Sequence, residues 1–277
     1  MRIDVHTHLG EDGRAVDELL AAADALAIDK TVVFTTGNVS GWRFAGNDGV
    51  LAACRAHPDR LIPFAFVELG VDKPEAVDRF VADGFRGFKL IRPLVPYNDE
   101  SLFPVYERMQ ASGLPALFHT GIIGRANPSE PEPLVDTTRM QVMTLDRVAR
   151  AFPRLTIVMA HLGNPNHEDG AVMIRTHPNV YSDLSGSTLK YRSPQYLDSL
   201  LWWGKGDVMY NVSGQTPWDK ILYGTDTLPG LAKDIVAETK ITHGDYVRLF
   251  DAIGLAESDR KKVMGGNAAK LLGFSTA

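Results

Sequence analysis

The sequence predicts a single-domain α/β fold, a (β/α)8 TIM barrel over residues 1–277, and three observations predict it. Eight short runs rich in Val, Ile, Leu and Phe recur along the chain, amphipathic stretches separate them, and no linker or composition break interrupts the alternation. A run that is apolar almost throughout is a strand buried on both faces, the condition of a parallel sheet covered by helices. A chain of 277 residues has the length at which such barrels form one domain. The competing architecture, an open doubly wound sheet, needs a Gly-rich phosphate turn after its first strand, and "HTHLGEDGR" does not match G-x-G-x-x-G.

In chain order, "RIDVHTH" (2–8) is the first strand, and its alternation turns His6 and His8 to one face and Thr7 to the other. "AVDELLAAADALA" (15–27) spaces its leucines and alanines as a helix does, and "KTVVFTT" (30–36) is the second strand. A Gly- and Asn-rich loop, "GNVSGWRFAGNDG" (37–49), leads to a helical "LAACRAH", where the lone Cys54 is expected to be buried. The third strand is "LIPFAFVEL" (61–69), followed by "PEAVDRFVAD" (74–83), a helix with Pro near its start. "FRGFKLI" (85–91) and "PALFHTG" (115–121) are the fourth and fifth strands, with the helix "LFPVYERMQASG" (102–113) between them ending at Gly. A long loop (122–140) and the helix "TLDRVARAFP" (144–153) precede the sixth strand, "LTIVMAHLG" (155–163). "NVYSDLS" (179–185) and "KILYGTD" (220–226) complete the eight.

With 44% hydrophobic and 23% charged residues the composition is that of an ordinary globular protein. A net charge of -5 gives no basic footprint, which argues against nucleic acid, and no apolar run reaches the roughly 20 residues that span a bilayer. One cysteine allows no internal disulfide, and a first strand that begins this early leaves no room for a signal peptide, so a cytoplasmic protein with a small-molecule partner is expected. The adjacent tryptophans of "LLWWGKGDVMY" (200–210) either pack a helix or form an exposed patch that would join two copies as a homodimer.

A barrel places its chemistry at the C-terminal ends of the strands. There the first strand offers His6 and His8, the fourth Lys89, the fifth His119, the sixth His161 and the eighth Asp226. A single buried histidine is ordinarily satisfied by a backbone carbonyl. Four histidines and an aspartate at the same end of four strands read instead as a metal site. His57 and His177 fall at helix-to-strand turns on the opposite rim, His243 is expected to begin a late helix, and His167 lies in the loop after the sixth strand.

Neutral imidazoles with a carboxylate suit zinc first, with manganese or iron as alternatives. Such an ion lowers the pKa of a bound water to near neutrality and polarises a carbonyl. Asp226 can hold the metal with one oxygen, take the water's proton with the other and later give it to the leaving group. His161 is either a further ligand or a hydrogen bond to the carbonyl oxygen. The loops above the site offer Trp42, Arg43, Arg92, Tyr97 and Arg125 as substrate-binding residues, and three arginines there suggest an anionic substrate.

H-x-H on the first strand, lysine on the fourth, histidines on the fifth and sixth and aspartate on the eighth resemble the amidohydrolase superfamily. "IDVHTHLG", "GFRGFKL", "IVMAHLG", "ILYGTD" and "GGNAAKLLG" are similar to its amidohydrolase-related branch, which holds aminocarboxymuconate-semialdehyde decarboxylase, resorcylate decarboxylases and several lactonases. The resemblance implies a metal-dependent enzyme that hydrolyses a small ester, lactone or amide, or else a nonoxidative decarboxylase of an unsaturated or aromatic acid. Mononuclear decarboxylases of that branch generally do not use a strand-four lysine as a ligand, so Lys89 favours hydrolysis. The resemblance also suggests that Lys89 takes up carbon dioxide and that the carbamate bridges two ions, one held by His6, His8 and Asp226 and the other by His119 and His161. The alternative is one ion beside a plain lysine, which burial would require to be neutral or paired, with Asp226 or Glu68 as partner. A barrel that binds metal but has lost catalysis would be expected to lack a ligand, and none is missing.

Overall fold

The computed structural model describes residues 1–37, 42–125, 127–129, 131–205, 214–230 and 232–275. Strands and helices alternate in the order β1 (Ile3–His8), α1 (Ala15–Ala25), β2 (Lys30–Phe34), α2 (Asn47–Ala56), β3 (Leu61–Pro63), β4 (Ala65–Phe66), α3 (Pro74–Asp83), β5 (Phe88–Leu90), α4 (Phe103–Ser112), β6 (Ala116–Phe118) and α5 (Thr144–Ala151). Then come β7 (Ile157–Met159), α6 (His167–Thr176), β8 (Val180–Asp183), α7 (Ser187–Lys190), α8 (Pro194–Leu200), β9 (Ile221–Leu222), α9 (Ile235–Ala252), α10 (Glu257–Lys261) and α11 (Asn267–Leu272). Every strand pair is parallel, β1 to β3 in one ladder and β4 to β9 in the next.

The two ladders are one sheet. β3 and β4 are halves of the expected third strand: the N–H of Phe64 donates to Val33 on one side (2.9 Å) and that of Ala65 to Gly87 on the other (2.9 Å). Adjacent N–H groups of a strand point to opposite neighbours, so such a run pairs with both. At the far edge, Val5 donates to Tyr223 (3.0 Å), Asp226 to His6 (2.8 Å) and His8 to Thr227 (3.0 Å), joining the eighth strand to the first.

The strands are shorter than the apolar runs because their C-terminal ends bend into the loops above. β7 stops at Met159, and His161 and Leu162 beyond it have φ of 63° and 48°. The helices end by familiar means: α3 has Pro in its first turn, and left-handed Gly84 and Gly113 follow α3 and α4. His243 does not begin a helix. It lies inside α9, which Asp234 caps by accepting the N–H of Ala237. Of the tryptophan segment, Trp203 is buried and Trp202 is 45% exposed, while residues 206–210 lie outside the described residues. Cys54 is buried, and burial pushes its thiol pKa up to about 12.

A large outer core packs the helices onto the strands, and a smaller inner cluster of Ile3, Val5, Val32, Phe34, Phe64 and Leu222 with neighbours fills the ring. Both Val5 and the next residue, His6, belong to the inside. The pairing of β1 with β2 shifts register between Asp4 and Thr7, a bulge that re-aims His6, whose ring lies 5.2 Å from that of Phe34. Asp4 holds the bulge from outside, accepting the N–H of His6 (3.0 Å), the N–H of Thr225 (3.0 Å) and the hydroxyl of Thr225 (2.5 Å). No described helix is long and apolar enough to cross a membrane.

Candidate metal centre

His6, His8 and Asp226 bring one donor atom each into a common space. Asp226 Oδ1 lies 3.3 Å from His6 Nε2 and 3.1 Å from His8 Nε2. His6 donates from Nδ1 to Asp183 Oδ2 at 2.8 Å, which selects the tautomer whose Nε2 lone pair faces Asp226. Burial, and after it Lys89, lowers the pKa of His6 to about 3 although Asp183 and Asp226 oppose the shift, so its imidazole is neutral, as a metal ligand must be. Burial also pushes the Asp226 pKa upward, but His6, His161 and the hydrogen bond to His8 outweigh it and hold the carboxyl well below its ordinary range. The site is therefore two neutral imidazoles and one carboxylate.

Lys89 is fully buried at the end of β5. Its Nζ sits 3.1 Å from His6 Nε2 and 4.5 Å from the centre of the Phe34 ring, with no ion pair to Asp226 or Glu68. Burial lowers its pKa to about 7 against the pull of Asp226 and Asp183, and the amine meets His6 as a hydrogen-bond donor. The His161 ring stacks on His6 with centroids 5.0 Å apart, and the His119 ring stands 5.1 Å from His161 at 72°. His161 Nδ1 is engaged by Ser185 Oγ (2.9 Å), and its N–H donates to Asp183 Oδ1 (2.9 Å).

Two donor groups close enough for an ion occur among the described residues: His6, His8 and Asp226, and His6, His161 and Asp183. They share His6. The second is occupied internally, because Asp183 also accepts the N–H and hydroxyl of Ser185 (3.0 and 2.5 Å) and is fully buried. Both sets of three contain His6, so the unmodified side chains of the described residues present one three-donor ion site, with His119, His161 and Lys89 beside it. His119 Nε2 beside these donors is buried with no hydrogen-bond partner among the described residues, a costly condition that a cation or a substrate oxygen would relieve.

A cavity of about 300 Å3 opens above the donors. Its floor is His8, His119, His161 and Asp226, and its walls include Trp42, Phe44, Ile91, Ile122, Ile123 and Leu228. Of the substrate-binding residues expected from the sequence, only Trp42 is there, and four need correction. Tyr97 is fully buried and its hydroxyl donates to the carbonyls of His119 (2.9 Å) and Leu90 (3.3 Å), so it supports the backbone beneath the floor. Arg92, at φ 53°, turns its guanidinium to the carbonyl of Thr36. Arg125 pairs with Glu132 (3.3 Å), and Arg43 is exposed outside the cavity. Among the described residues no arginine lines this cavity, and the expectation of an anionic substrate loses the residues that carried it. His167 is buried at the start of α6 against Thr188 (3.4 Å), and His177 Nε2 meets Asp146 at 2.9 Å; neither faces the site.

Two residues that sequence reasoning missed are Asp183 and Asp4. The signal for Asp183 was present, an acid at the end of the apolar run "NVYSDLS", in the position where other strands carry ligands. Asp4 could be read only as one more polar residue before the histidines, since nothing in the sequence announces the bulge it holds.

The family model described as Amidohydrolase matches residues 3–274. No curated protein matches. Among solved structures, the chain is similar to an uncharacterized TIM-barrel protein from Bordetella bronchiseptica, with a TM-score of 0.71, 20% identity and 98% of each chain covered. It is also similar to a 5-carboxyvanillate decarboxylase from Sphingomonas paucimobilis (TM-score 0.63, 15% identity, 99% of each chain). An amidohydrolase from Burkholderia multivorans with bound zinc matches at a TM-score of 0.64 and 15% identity, over 99% of this chain and all of that one (100%).

Proposed function

Because the chain belongs to the amidohydrolase family, we propose that it is a zinc-dependent hydrolase acting on an ester, lactone or amide carbonyl of a compound with an apolar body. The observation that carries this reading is the division of Asp226. Its Oδ1 lies among the histidines, while its Oδ2 is turned toward Gly186, where a β-carbon would come within 3.2 Å of it, on the wall of the cavity. A carboxylate so placed can join a donor set and still handle a proton.

His6, His8 and Asp226 would hold a single divalent ion, and when bound it would supply a water of lowered pKa and polarise the substrate carbonyl. Asp226 takes a proton from the attacking water and returns it to the leaving group. His119, with its free Nε2 on the floor, is placed to hydrogen-bond the carbonyl oxygen, and Ser185 fixes the ring of His161 beside it. Trp42, Phe44 and the isoleucines orient the substrate body and keep bulk water from the reacting carbon. Zinc is favoured by the nitrogen-rich donor set, and the Burkholderia amidohydrolase holds that metal. Lys89, a neutral amine that hydrogen-bonds His6 Nε2 while no ion holds that lone pair, would yield it to the ion and remain beside the single donor set without bridging two ions.

The test is a screen of lactones, esters, amides and carboxylic acids in 18O-labelled water, with and without chelator. Chelator-sensitive turnover with one labelled oxygen in the product acid is expected. Release of carbon dioxide without label uptake would replace hydrolysis by decarboxylation.

A further inference from the structure

The cavity does not end at Asp226. Gly186, Ser187 and Asp226 also line a second space, a groove of about 380 Å3 bordered by α7 and α9. Gly186 lies between the two: a β-carbon there would stand 3.0 Å from His161 Nδ1 and 3.2 Å from Asp226 Oδ2, so a side chain at this position would press on the carboxylate that both spaces share. Their chemistry differs. The first has aromatic and aliphatic walls, whereas the groove adds Thr225, Thr227, Thr242, Lys190 of α7 and Glu238 of α9 to its apolar Tyr191 and Ile241, with Lys190 Nζ 5.5 Å from the centre of the Tyr191 ring. Lys190 and Glu238 are exposed, and neither forms an ion pair among the described residues, with each other or with a third group. Two separated charges of opposite sign on one groove complement a ligand that carries both signs.

We infer that the substrate is amphipathic: an apolar body in the cavity against Trp42, and a dipolar, amino-acid-like head in the groove between Lys190 and Glu238, joined by the carbonyl bond cleaved at Asp226. Lys190 takes the carboxylate of the head and Glu238 its ammonium. For an amide, water adds to the carbonyl carbon, the bond from that carbon to nitrogen breaks, and Asp226 carries the water's proton to the departing nitrogen, giving an acid and an amine. This assignment rests on the hydrolase reading and adds the substrate class to it.

Four p-nitroanilides test it on the zinc-loaded enzyme: γ-glutamyl (both charges), glutaryl (carboxylate only), 4-aminobutanoyl (ammonium only) and butanoyl (neither). Binding is read by calorimetry and turnover by release of p-nitroaniline. The γ-glutamyl compound should bind best. Lys190→Met should weaken the γ-glutamyl and glutaryl compounds about tenfold and leave the other two unchanged, as loss of one charge-assisted contact implies. Lys190→Arg should retain them, and Glu238→Gln should weaken only the two ammonium compounds. Kd values that ignore both substitutions, or that move together for all four compounds, would overturn the assignment. If none of the four is hydrolysed while their Kd values still follow Lys190 and Glu238, the hydrolase reading fails and the head-group site stands.

Discussion

Asp226 is the residue on which both holding an ion and moving a proton converge, and its backbone is strained to that end. At φ 57° it occupies the left-handed region, as His161 does at 63°, a conformation that costs a side-chain-bearing residue about 1–3 kcal/mol and that persists where the surroundings enforce it. Asp226→Asn keeps the shape but cannot accept the proton, so turnover should fall about 10²–10⁴-fold with little change in the thermal midpoint of the metal-free protein. Activity within a few-fold of wild type would remove Asp226 from the chemistry. Asp183 acts through its neighbours, fixing the His6 tautomer and receiving the N–H of His161. Asp183→Asn should therefore weaken zinc about 10–100-fold in competition with a chelating indicator, and an unchanged affinity would deny it that role. The histidines and Asp226 were legible because each interrupts an apolar run at a strand end. Asp183 interrupts one too, and the difference between ligand and support lies in a single hydrogen bond that no spacing encodes.

At the scale of elements, strands were legible and loops were not, for a physical reason. Strand side chains alternate, so a run such as "FRGFKLI" tells which residues share a face, and Gly87 and Lys89 both point inward, Gly87 because a β-carbon there would strike the Phe64 ring at 2.4 Å. Loop residues obey no period, and Arg92, Arg125 and Tyr97 each found a partner in the protein itself. The base of the eighth strand shows the cost of burial in another lysine. Lys220, immediately before β9, is fully buried, donates to the carbonyls of His177 (3.0 Å) and Pro178 (2.6 Å), and has its pKa lowered by burial to about 7 against the opposing effect of Asp219. An unfolded lysine keeps its proton to about pH 10.4, so between pH 7 and that value the unfolded chain binds the extra proton and stability rises with pH. Below pH 7 both states are protonated and the cost is constant. Denaturant midpoints measured at pH 7.5 and 9.5 should rise in the wild type relative to Lys220→Met; parallel behaviour of the two would show that the buried amine stays charged.

For the whole molecule, the donors join the two ends of the sheet. His6 and His8 stand on the first strand and Asp226 follows the eighth, and the seam between these strands is otherwise held by backbone bonds and by Asp4 reaching Thr225. An ion bound by all three spans that seam, and because the donors converge only in the folded chain, its binding free energy adds to folding. At a free zinc concentration 100 times Kd the gain is about 2.7 kcal/mol. Zinc should therefore raise the unfolding midpoint in proportion to the logarithm of its concentration, and chelator should reverse the rise. The His8→Ala/Asp226→Asn double variant, with donors removed from both sides of the seam, should lose most of the dependence. A zinc-induced rise of equal size in that variant would place the ion elsewhere and leave the seam to Asp4 and the backbone. A rise lost in His8→Ala alone but retained in Asp226→Asn would assign the ion to the histidines, leaving Asp226 to handle protons without holding metal.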